Sequence, residues 1–392
     1  MLSVQSAGEQ SAERLPQPKK EKGNILLDEQ GLLDVPFLVL TIILTALGVI
    51  MMFSASYARA YAEHGNSTYY FARQALFAMA GIGIMLVISR VPYQWWRPAS
   101  VLVLAGTVFL LMLVPIIGET SNGAKRWISL LGIRFQPSEL AKVAIVMSFA
   151  SLMSVLRGKM ETFRYGVVPF AVILVVLCGL VAIEKHLSCI LIMLALGAVM
   201  MYLGGVKLRW FAVGFAIVAV AVFLYLKFMG YASARITAWR DPFADPSDNG
   251  YQILQSLYAI GSGGLMGLGL GKSRQKYLYL PEEHNDYIFP IVCEELGFVG
   301  AVAVILLFVL LIVRGYYIAI HAKDRFGTLM AAGLSTHLAL QTFLNIGVVT
   351  NFLPATGISL PFFSYGGTAI LIQLFEMGLI LAVSRQCDNK LL

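Results

Sequence analysis

"LPEEHNDYIFPIVCEELGFVGAVAVILLFVLLIV", residues 280–313, opens with acidic side chains and a histidine and then turns apolar, carrying Glu294 and Glu295 along. Its second part, 288–313, exceeds the roughly 20 mostly apolar residues needed to cross a bilayer. In water the acidic opening would be an ordinary helix start. In lipid, a charge costs roughly 2.5–3.5 kcal/mol at a helix centre on insertion scales, so carboxylates there pair or face a polar interior. The solvent around the chain therefore decides the reading.

Composition answers that question. The chain has 392 residues, 58% hydrophobic and 13% charged, where a soluble domain carries about 25% charged residues. Its mean hydropathy is +0.76. The expected fold is all-α, a polytopic membrane protein with ten transmembrane helices at 36–57, 71–89, 98–117, 139–156, 167–184, 187–204, 210–229, 288–313, 327–350 and 367–385. A large extracytoplasmic loop separates the seventh helix from the eighth.

Lysine and arginine placement orients the bundle. Arg14, Lys19, Lys20 and Lys22 precede the first span, and Arg90, Arg97, Arg157, Lys159, Arg164, Lys207, Arg209, Arg314, Lys323, Arg325, Arg385 and Lys390 fall in alternate connections. Both termini are then cytoplasmic. Residues 1–35 read as a disordered cytoplasmic tail, 36–386 as one ten-helix membrane domain with extracytoplasmic loops at 118–138 and 230–287, and 387–392 as a cytoplasmic C-terminal end. No cleaved signal peptide is expected. Cys178, Cys189 and Cys293 fall in or beside spans and Cys387 at the inner end, so no disulfide framework is expected. The net charge of +7 is assigned to anchoring at the inner face, with no nucleic-acid partner.

Several polar groups sit where lipid should exclude them. In "QPSELAK", 136–142, Pro137 suits a helix start, and Glu139 and Lys142 stand at i and i+3, close enough to pair. The pair either locks helices together or meets a polar substrate. "IEKHLS", 183–188, puts Glu184, Lys185 and His186 in a tight junction, either merely solvated or rimming a cavity. His337, Gln341 and Asn345 share one face of the ninth span, a pattern of interhelical hydrogen bonding. Glu294, Glu295 and Glu376 are expected in an inward-facing polar cluster.

The two outer loops break the charge bias. The first, "GETSNGAKRWISLLGIRFQPSE", places Lys125 and Arg126 after an Asn122-Gly123 turn. The second holds Arg235, Arg240, an amphipathic "YQILQSLYAI" too short to span, and "GSGGLMGLGLGKSRQK". The last is no phosphate-binding P-loop: that motif needs glycine at position 266, which is methionine, and a preceding strand. Its glycines are expected to pack tightly, with Lys272, Arg274 and Lys276 as an outward basic cluster. Such a cluster meets lipid headgroups or a diphosphate-bearing lipid. Asp286 is either a helix N-cap or a base placed where water thins.

"LPEEHNDYIFPIVCEELGFVG", with "NGAKRWI", "QPSELAK", "RITAWRDP", "NGYQ", "GSGGLMGLGLGKS" and "LPATGISLPFFSYGGT" in order, resembles the bacterial shape, elongation, division and sporulation family of FtsW, RodA and SpoVE, over nearly the whole chain. The resemblance implies a peptidoglycan glycosyltransferase that polymerises lipid II at the outer face of the bacterial cytoplasmic membrane. It makes Asp286 the essential aspartate and matches Glu139 and Lys142 to the family's pair in the fourth span. Lys125, Arg126, Arg235, Arg240, Lys272, Arg274, Lys276 and His284 become candidate substrate contacts, and Ser364, Tyr365, Gly366 and Gly367 candidate cavity residues.

On this reading the acceptor's 4-hydroxyl attacks the donor's anomeric carbon, Asp286 takes the proton, and cations steady the departing diphosphate. No metal motif is evident; a divalent Mg²⁺ or Mn²⁺ could use Asp286 as one oxygen ligand. Implied partners are lipid II, the nascent glycan strand, a class B penicillin-binding protein transpeptidase, and other divisome or sporulation membrane proteins. "SLPFFSYGGT" and the polar tail lean toward the division or sporulation branch rather than elongation. The alternatives are a lipid II flippase and a scaffold for the transpeptidase. One departure stands out: where the family reads an acidic residue or Gln, then Pro-Asp-Leu-Gly, this chain has Glu184, Lys185, His186, Leu187 and Ser188. His186 is accordingly left outside the catalytic set.

Overall fold

The computed structural model describes residues 31–121, 124–130, 133–228, 237–247 and 250–387. The Asn122-Gly123 turn, Arg235, residues 1–30 of the expected tail and residues 388–392 lie outside them. Residues 31–34, expected within the tail, belong to the bundle instead. Gly31 N–H donates to the Arg385 carbonyl at 2.7 Å. Asp34 caps the first helix by accepting from Phe37 N–H at 2.9 Å, and its carboxylate pairs with Arg314 at 2.9 Å. An aspartate cap followed by a first-turn proline is a strong helix start.

The chain runs α1 (Val35–His64), α2 (Tyr69–Ile88), α3 (Trp96–Ile117), β1 (Glu119–Ser121), β2 (Ala124–Leu130), β3 (Ile133–Phe135), α4 (Pro137–Val155), α5 (Val168–Ile183), α6 (Leu187–Leu203), α7 (Leu208–Phe228), α8 (Tyr251–Ser262), α9 (Ile288–Ile320), α10 (Arg325–Val349) and α11 (Gly367–Ser384). Apart from the short α8, each of these helices coincides with one of the ten expected spans. Among the described residues, seven helical stretches are both long and apolar enough to cross a membrane. Helix α6 is apolar but shorter, at 17 residues; α10 is long enough, and its polar stripe dilutes it. The chain is a polytopic, mostly helical membrane protein.

Contacts sort the connections to two ends of the bundle. At one end, Asp34 meets Arg314, Tyr93 donates to Asp324 at 2.9 Å, and Arg325 donates to the Gly204 carbonyl at 2.6 Å. Both described termini lie here. At the other end, Arg59 meets Glu283, Arg126 reaches the Glu184–Lys185 carbonyls, Trp239 bonds Asn351, and Thr368 donates to the Arg134 carbonyl at 3.0 Å. This second, loop-rich end gathers the two loops that the sequence singles out.

The first loop is not irregular. Its strands form an antiparallel sheet in the order β1-β2-β3. Along β2 burial follows the two-residue period of a strand: Ala124 and Ile128 are buried, whereas Lys125 and Ser129 are exposed. Arg126 therefore shares the inward face and Lys125 the outward one.

Large apolar side chains such as Leu102, Ile116, Val175 and Phe215 are exposed around the bundle, as expected of a lipid-facing surface. Lipid gives no hydrophobic drive for helices to associate, so close backbone approach matters. A Cβ added at Gly48 of α1 would stand 2.3 Å from the Phe362 carbonyl oxygen. Helix α9 breaks at Gly297, where φ is 68° and ψ −172°. Beside the break the glycine-rich loop runs along the helix: Leu268 N–H donates to the Glu294 carbonyl at 2.9 Å and Phe298 N–H to the Gly264 carbonyl at 2.9 Å. A Cβ at Gly267 would lie 2.2 Å from the Glu295 carbonyl oxygen. Tight packing of the glycine run is what its composition leads one to expect.

Candidate active site at the loop-rich end

The acidic residues around 280–297 have separate jobs. Glu283 takes a two-pronged bond from Arg59, with Nε at 2.8 Å and Nη2 at 2.7 Å, a geometry that fixes both groups. Glu282 accepts from the Asn285 amide. Glu294 is held by the Ser273 hydroxyl and by Arg274 N–H at 3.0 Å. Glu295 receives Lys276 Nζ at 3.1 Å, Ser54 Oγ at 2.7 Å and Gly271 N–H at 2.9 Å. These contacts knit α1, the glycine-rich loop and α9 into one support.

That support corrects the expected basic cluster. Lys276 is only 2% exposed and its ammonium is spent on Glu295. A buried ammonium needs a counter-charge, and Glu295 is the nearest one. Lys272 and Arg274 are exposed and keep their outward position. His284 is likewise a wall residue rather than an exposed contact: it is 6% exposed, stacked on Tyr70 at 5.0 Å and beside Tyr365 at 5.8 Å. Burial pulls its pKa below the usual histidine value, against the opposing charge of Glu283.

Asp286 stands two residues before α9 and remains partly exposed. Its carbonyl accepts from Asn345 Nδ2 at 2.8 Å, and the same amide donates to the Ile358 carbonyl at 2.6 Å. Its carboxylate lies against Gly357, where an added Cβ would come within 2.8 Å of Oδ2. The "SYGGT" run brackets the residues before it. Ser364 Oγ donates to the Asn285 carbonyl at 2.7 Å, and Tyr365 N–H to the His284 carbonyl at 2.8 Å. Gln74 of α2 fastens that run in turn, donating to the Ser364 carbonyl at 3.1 Å and accepting from Gly366 N–H at 3.2 Å. Gly367 allows α2 close, since its Cβ would meet the Phe77 ring at 2.3 Å.

A second wall comes from α4 and α10. Glu139 and Lys142 form the ion pair that their spacing predicts, at 2.8 Å. Lys142 also donates to Gln341 Oε1 at 3.3 Å, and Gln341 Nε2 donates to Ser359 Oγ at 3.0 Å. His337 meets Glu376 at 3.0 Å. The polar stripe of α10 thus hydrogen-bonds α4, α11 and the 351–366 segment.

The junction 184–186 closes this end. Arg126 Nη2 donates to the Lys185 carbonyl at 2.7 Å, and His186 Nδ1 lies 3.3 Å from Gln136 Nε2. Glu184 is buried without a hydrogen-bond partner for either carboxylate oxygen, and burial raises its pKa to about 8 against the pull of Arg126. Protein atoms crowd the His186 ring although it keeps some solvent access; this desolvation, with the Arg126 charge, lowers its pKa to about 4. Lys125 reaches the Pro115 carbonyl at 3.2 Å from the exposed face of β2, and Arg240 is exposed in the second loop.

The structure thus brings Asp286 together with the "SYGGT" run, and joins the Glu139–Lys142 pair to the 351–366 segment. It sets Lys125, Lys272, Arg274 and Arg240 on exposed surface at this end and withdraws Lys276 and His284. Arg59, Gln74, Asn345 and Gly357 enter the site with no such forecast. Among these, only the α10 stripe offered a sequence signal, through Asn345. Among the described residues, no three His, Cys, Asp or Glu side chains converge in a way that could hold a metal ion.

The family model described as "Cell cycle protein" and named for FtsW, RodA and SpoVE matches residues 35–389. A protein named probable peptidoglycan glycosyltransferase FtsW, from Geobacter sp. strain M18, is 42% identical over 90% of this chain and 96% of its own. Stage V sporulation protein E of Bacillus subtilis strain 168 is 39% identical over 90% of this chain and 97% of its own. A chain of a solved peptidoglycan synthase complex that coordinates polymerization and crosslinking superposes with a TM-score of 0.77 at 25% identity, covering 91% of this chain and 99% of that one. The rod shape determining protein RodA of Thermus thermophilus shares the fold, with a TM-score of 0.68 at 24% identity over 91% of this chain and 98% of that one.

Proposed function

The chain belongs to the FtsW/RodA/SpoVE family of cell cycle proteins, and from that premise we infer that it is a peptidoglycan glycosyltransferase, polymerising lipid II with Asp286 as general base. Orientation follows the positive-inside bias, with both termini cytoplasmic and the loop-rich end outside. The observation that carries the reading is the setting of Asp286. Its neighbours Glu283, Glu294 and Glu295 are consumed by structural partners. Asp286 stays partly exposed, with its main chain gripped by Asn345.

Two lipid-linked glycans lie side by side at this end. The acceptor's 4-hydroxyl attacks the donor's anomeric carbon, forming the new glycosidic C–O bond. The bond from that carbon to the diphosphate oxygen breaks, and its electron pair leaves with undecaprenyl diphosphate. Asp286 accepts the hydroxyl proton. A carboxylate is a weak base, so rigid placement supplies much of the effect. Lys125, Lys272, Arg274 and Arg240 are exposed on the same end to steady the leaving charge, and Arg235 belongs to the same proposal by sequence alone. A divalent cation would find one protein carboxylate here, Asp286, and would rely on diphosphate oxygens for the rest, a mode suited to Mg²⁺.

A neighbour in fold works within a complex that couples polymerization to crosslinking; the partner proposed for this chain is a class B penicillin-binding protein transpeptidase. The branch proposed is division or sporulation. The deciding assay mixes purified protein with lipid II, with and without the transpeptidase and Mg²⁺ or Mn²⁺. Wild-type protein yields glycan polymer and folded Asp286→Asn protein yields none. Lipid II moved across vesicles without polymer would support a flippase instead.

A further inference from the structure

Gln74 is a fully buried amide within an apolar helix, α2. A polar side chain in such a place costs free energy unless it is bonded, and both ends of this one are spent on the same run of chain. Its Nε2 donates to the Ser364 carbonyl at 3.1 Å, and its Oε1 accepts from Gly366 N–H at 3.2 Å. Between those two groups, Tyr365 N–H turns the other way, to the His284 carbonyl at 2.8 Å. Ser364 Oγ accepts from Leu360 N–H at 2.7 Å and donates to the Asn285 carbonyl at 2.7 Å. Asn345 supplies a third bond, to the Asp286 carbonyl. The carbonyls of His284, Asn285 and Asp286 are thus each held by a donor from elsewhere in the chain, and two of those donors belong to the run that Gln74 grips. Gln74 shares its face of α2 with Tyr70 and Phe77, at helical spacing. Tyr70 stacks on His284 at 5.0 Å and lies edge-on to Tyr365 at 4.8 Å, while Phe77 closes on Gly367.

We propose that Gln74 is a positioning residue of the transferase site: it sets the place of the Ser364–Gly366 run, and through it the main chain at 284–285 that leads into Asp286. The inference rests on the glycosyltransferase reading above and deepens it. Gln74 is closed to solvent and so touches no substrate; its effect on the reaction passes through Ser364 and Tyr365. The task needs one donor and one acceptor at a fixed separation, which an amide provides and a methionine of similar length does not. A weak base gains from placement only if the chain that carries it cannot shift. One bond at Asp286 leaves that chain free to pivot about it. Bonds at three successive carbonyls do not.

The test compares full-length Gln74→Met, Ser364→Ala and their double variant with lipid II, beside Asp286→Asn and Gly81→Ala. Gly81 lies about two turns along α2 from Gln74. An added Cβ there meets Leu374 of α11 at 2.5 Å, so its substitution disturbs the same helix pair without touching the run. Gln74→Met is expected to lower kcat per folded molecule by on the order of 10–100-fold, the scale of a small misplacement of a reacting group, with KM nearly unchanged. Gly81→Ala lowers the detergent melting temperature and leaves kcat as in wild type. The double variant loses less than the product of the two single losses, as links of one chain of contacts require. Asn285 and Tyr287 N–H both donate to the Glu282 carbonyl, and amide hydrogen exchange over 284–287 rises in Gln74→Met but not in Gly81→Ala. Wild-type kcat in Gln74→Met, an equal fall of kcat in Gly81→Ala, fully multiplicative losses in the double variant, or unchanged exchange would each overturn the assignment. If Gln74→Met does not fold, Gln74→Asn, which stays polar but is one methylene short, takes its place under the same outcomes. Polymerisation by Asp286→Asn at the wild-type rate sinks the base assignment instead, and the exchange measurement still judges Gln74.

Discussion

Lys276 Nζ and Glu295 Oε1 meet at 3.1 Å with both side chains closed to solvent. The pair joins the glycine-rich loop to α9, and the Ser54 hydroxyl of α1 touches both groups. Three segments far apart in the chain therefore share one buried charge pair.

Removing one partner strands the other. Lys276→Met leaves Glu295 with Ser54 and backbone donors but no counter-charge, and loss of a single partner of a buried pair costs about 3–5 kcal/mol. The expected result is a clear fall in the detergent melting temperature. Lys276→Met combined with Glu295→Gln regains most of it, since neither side chain is then ionised.

Gly357→Ala tests the contact beneath the proposed base. The new methyl would sit 2.8 Å from Asp286 Oδ2, so the carboxylate must move. Because Gly357 is exposed, the fold should survive with a normal melting curve while kcat falls by on the order of 100-fold. Gly106→Ala, in open space on α3, serves as the control with unchanged kcat.

Asn345→Leu removes one amide that serves two carbonyls, those of Asp286 and Ile358. Net stability should drop by about 1–3 kcal/mol, two ordinary hydrogen bonds. Polymerisation should fall further than that loss of folded protein explains, with kcat affected more than KM. Equal losses in folded fraction and activity would argue against a role in placing Asp286.

Glu184 makes stability depend on pH in an unusual direction. Burial raises its pKa from 4.5 to about 8, so between those values the folded protein holds a proton that the unfolded chain releases. Stability then declines as pH rises through that window. The stabilising share is whole below about 4.5 and gone above about 8. Glu184→Gln should melt higher than wild type at pH 9 and equally at pH 4, measured by thermal unfolding in detergent.

The ten helices were legible because apolar run length is a direct readout of bilayer thickness. The sheet of 119–135 was not: its strands are short, and one alternating run, Ala124 to Ser129, is too little to separate strand from loop. The Glu139–Lys142 pair could be read from helical spacing. Arg59 with Glu283 could not, since pairing across 224 positions leaves no local trace. Lys272, Arg274 and Lys276 look alike in sequence, but a turn of the backbone sends the third inward to Glu295 and leaves the others in solvent. Asp286 was found through a motif; what distinguishes it from Glu283, Glu294 and Glu295 is that they are buried while it keeps some exposure, which only coordinates supply.

The interruption of α9 at Gly297 divides that helix mechanically. The upper piece, which starts two residues after Asp286, and the first residues of the lower piece are both bonded to the glycine-rich loop: Leu268 and Gly269 N–H reach the Glu294 and Glu295 carbonyls on one side of the break, and Phe298 and Val299 N–H reach the Gly264 and Leu265 carbonyls on the other. The loop is thus a splint across the interruption. A change in its length would be expected to disturb both halves of α9 at once, and with them the footing of Asp286.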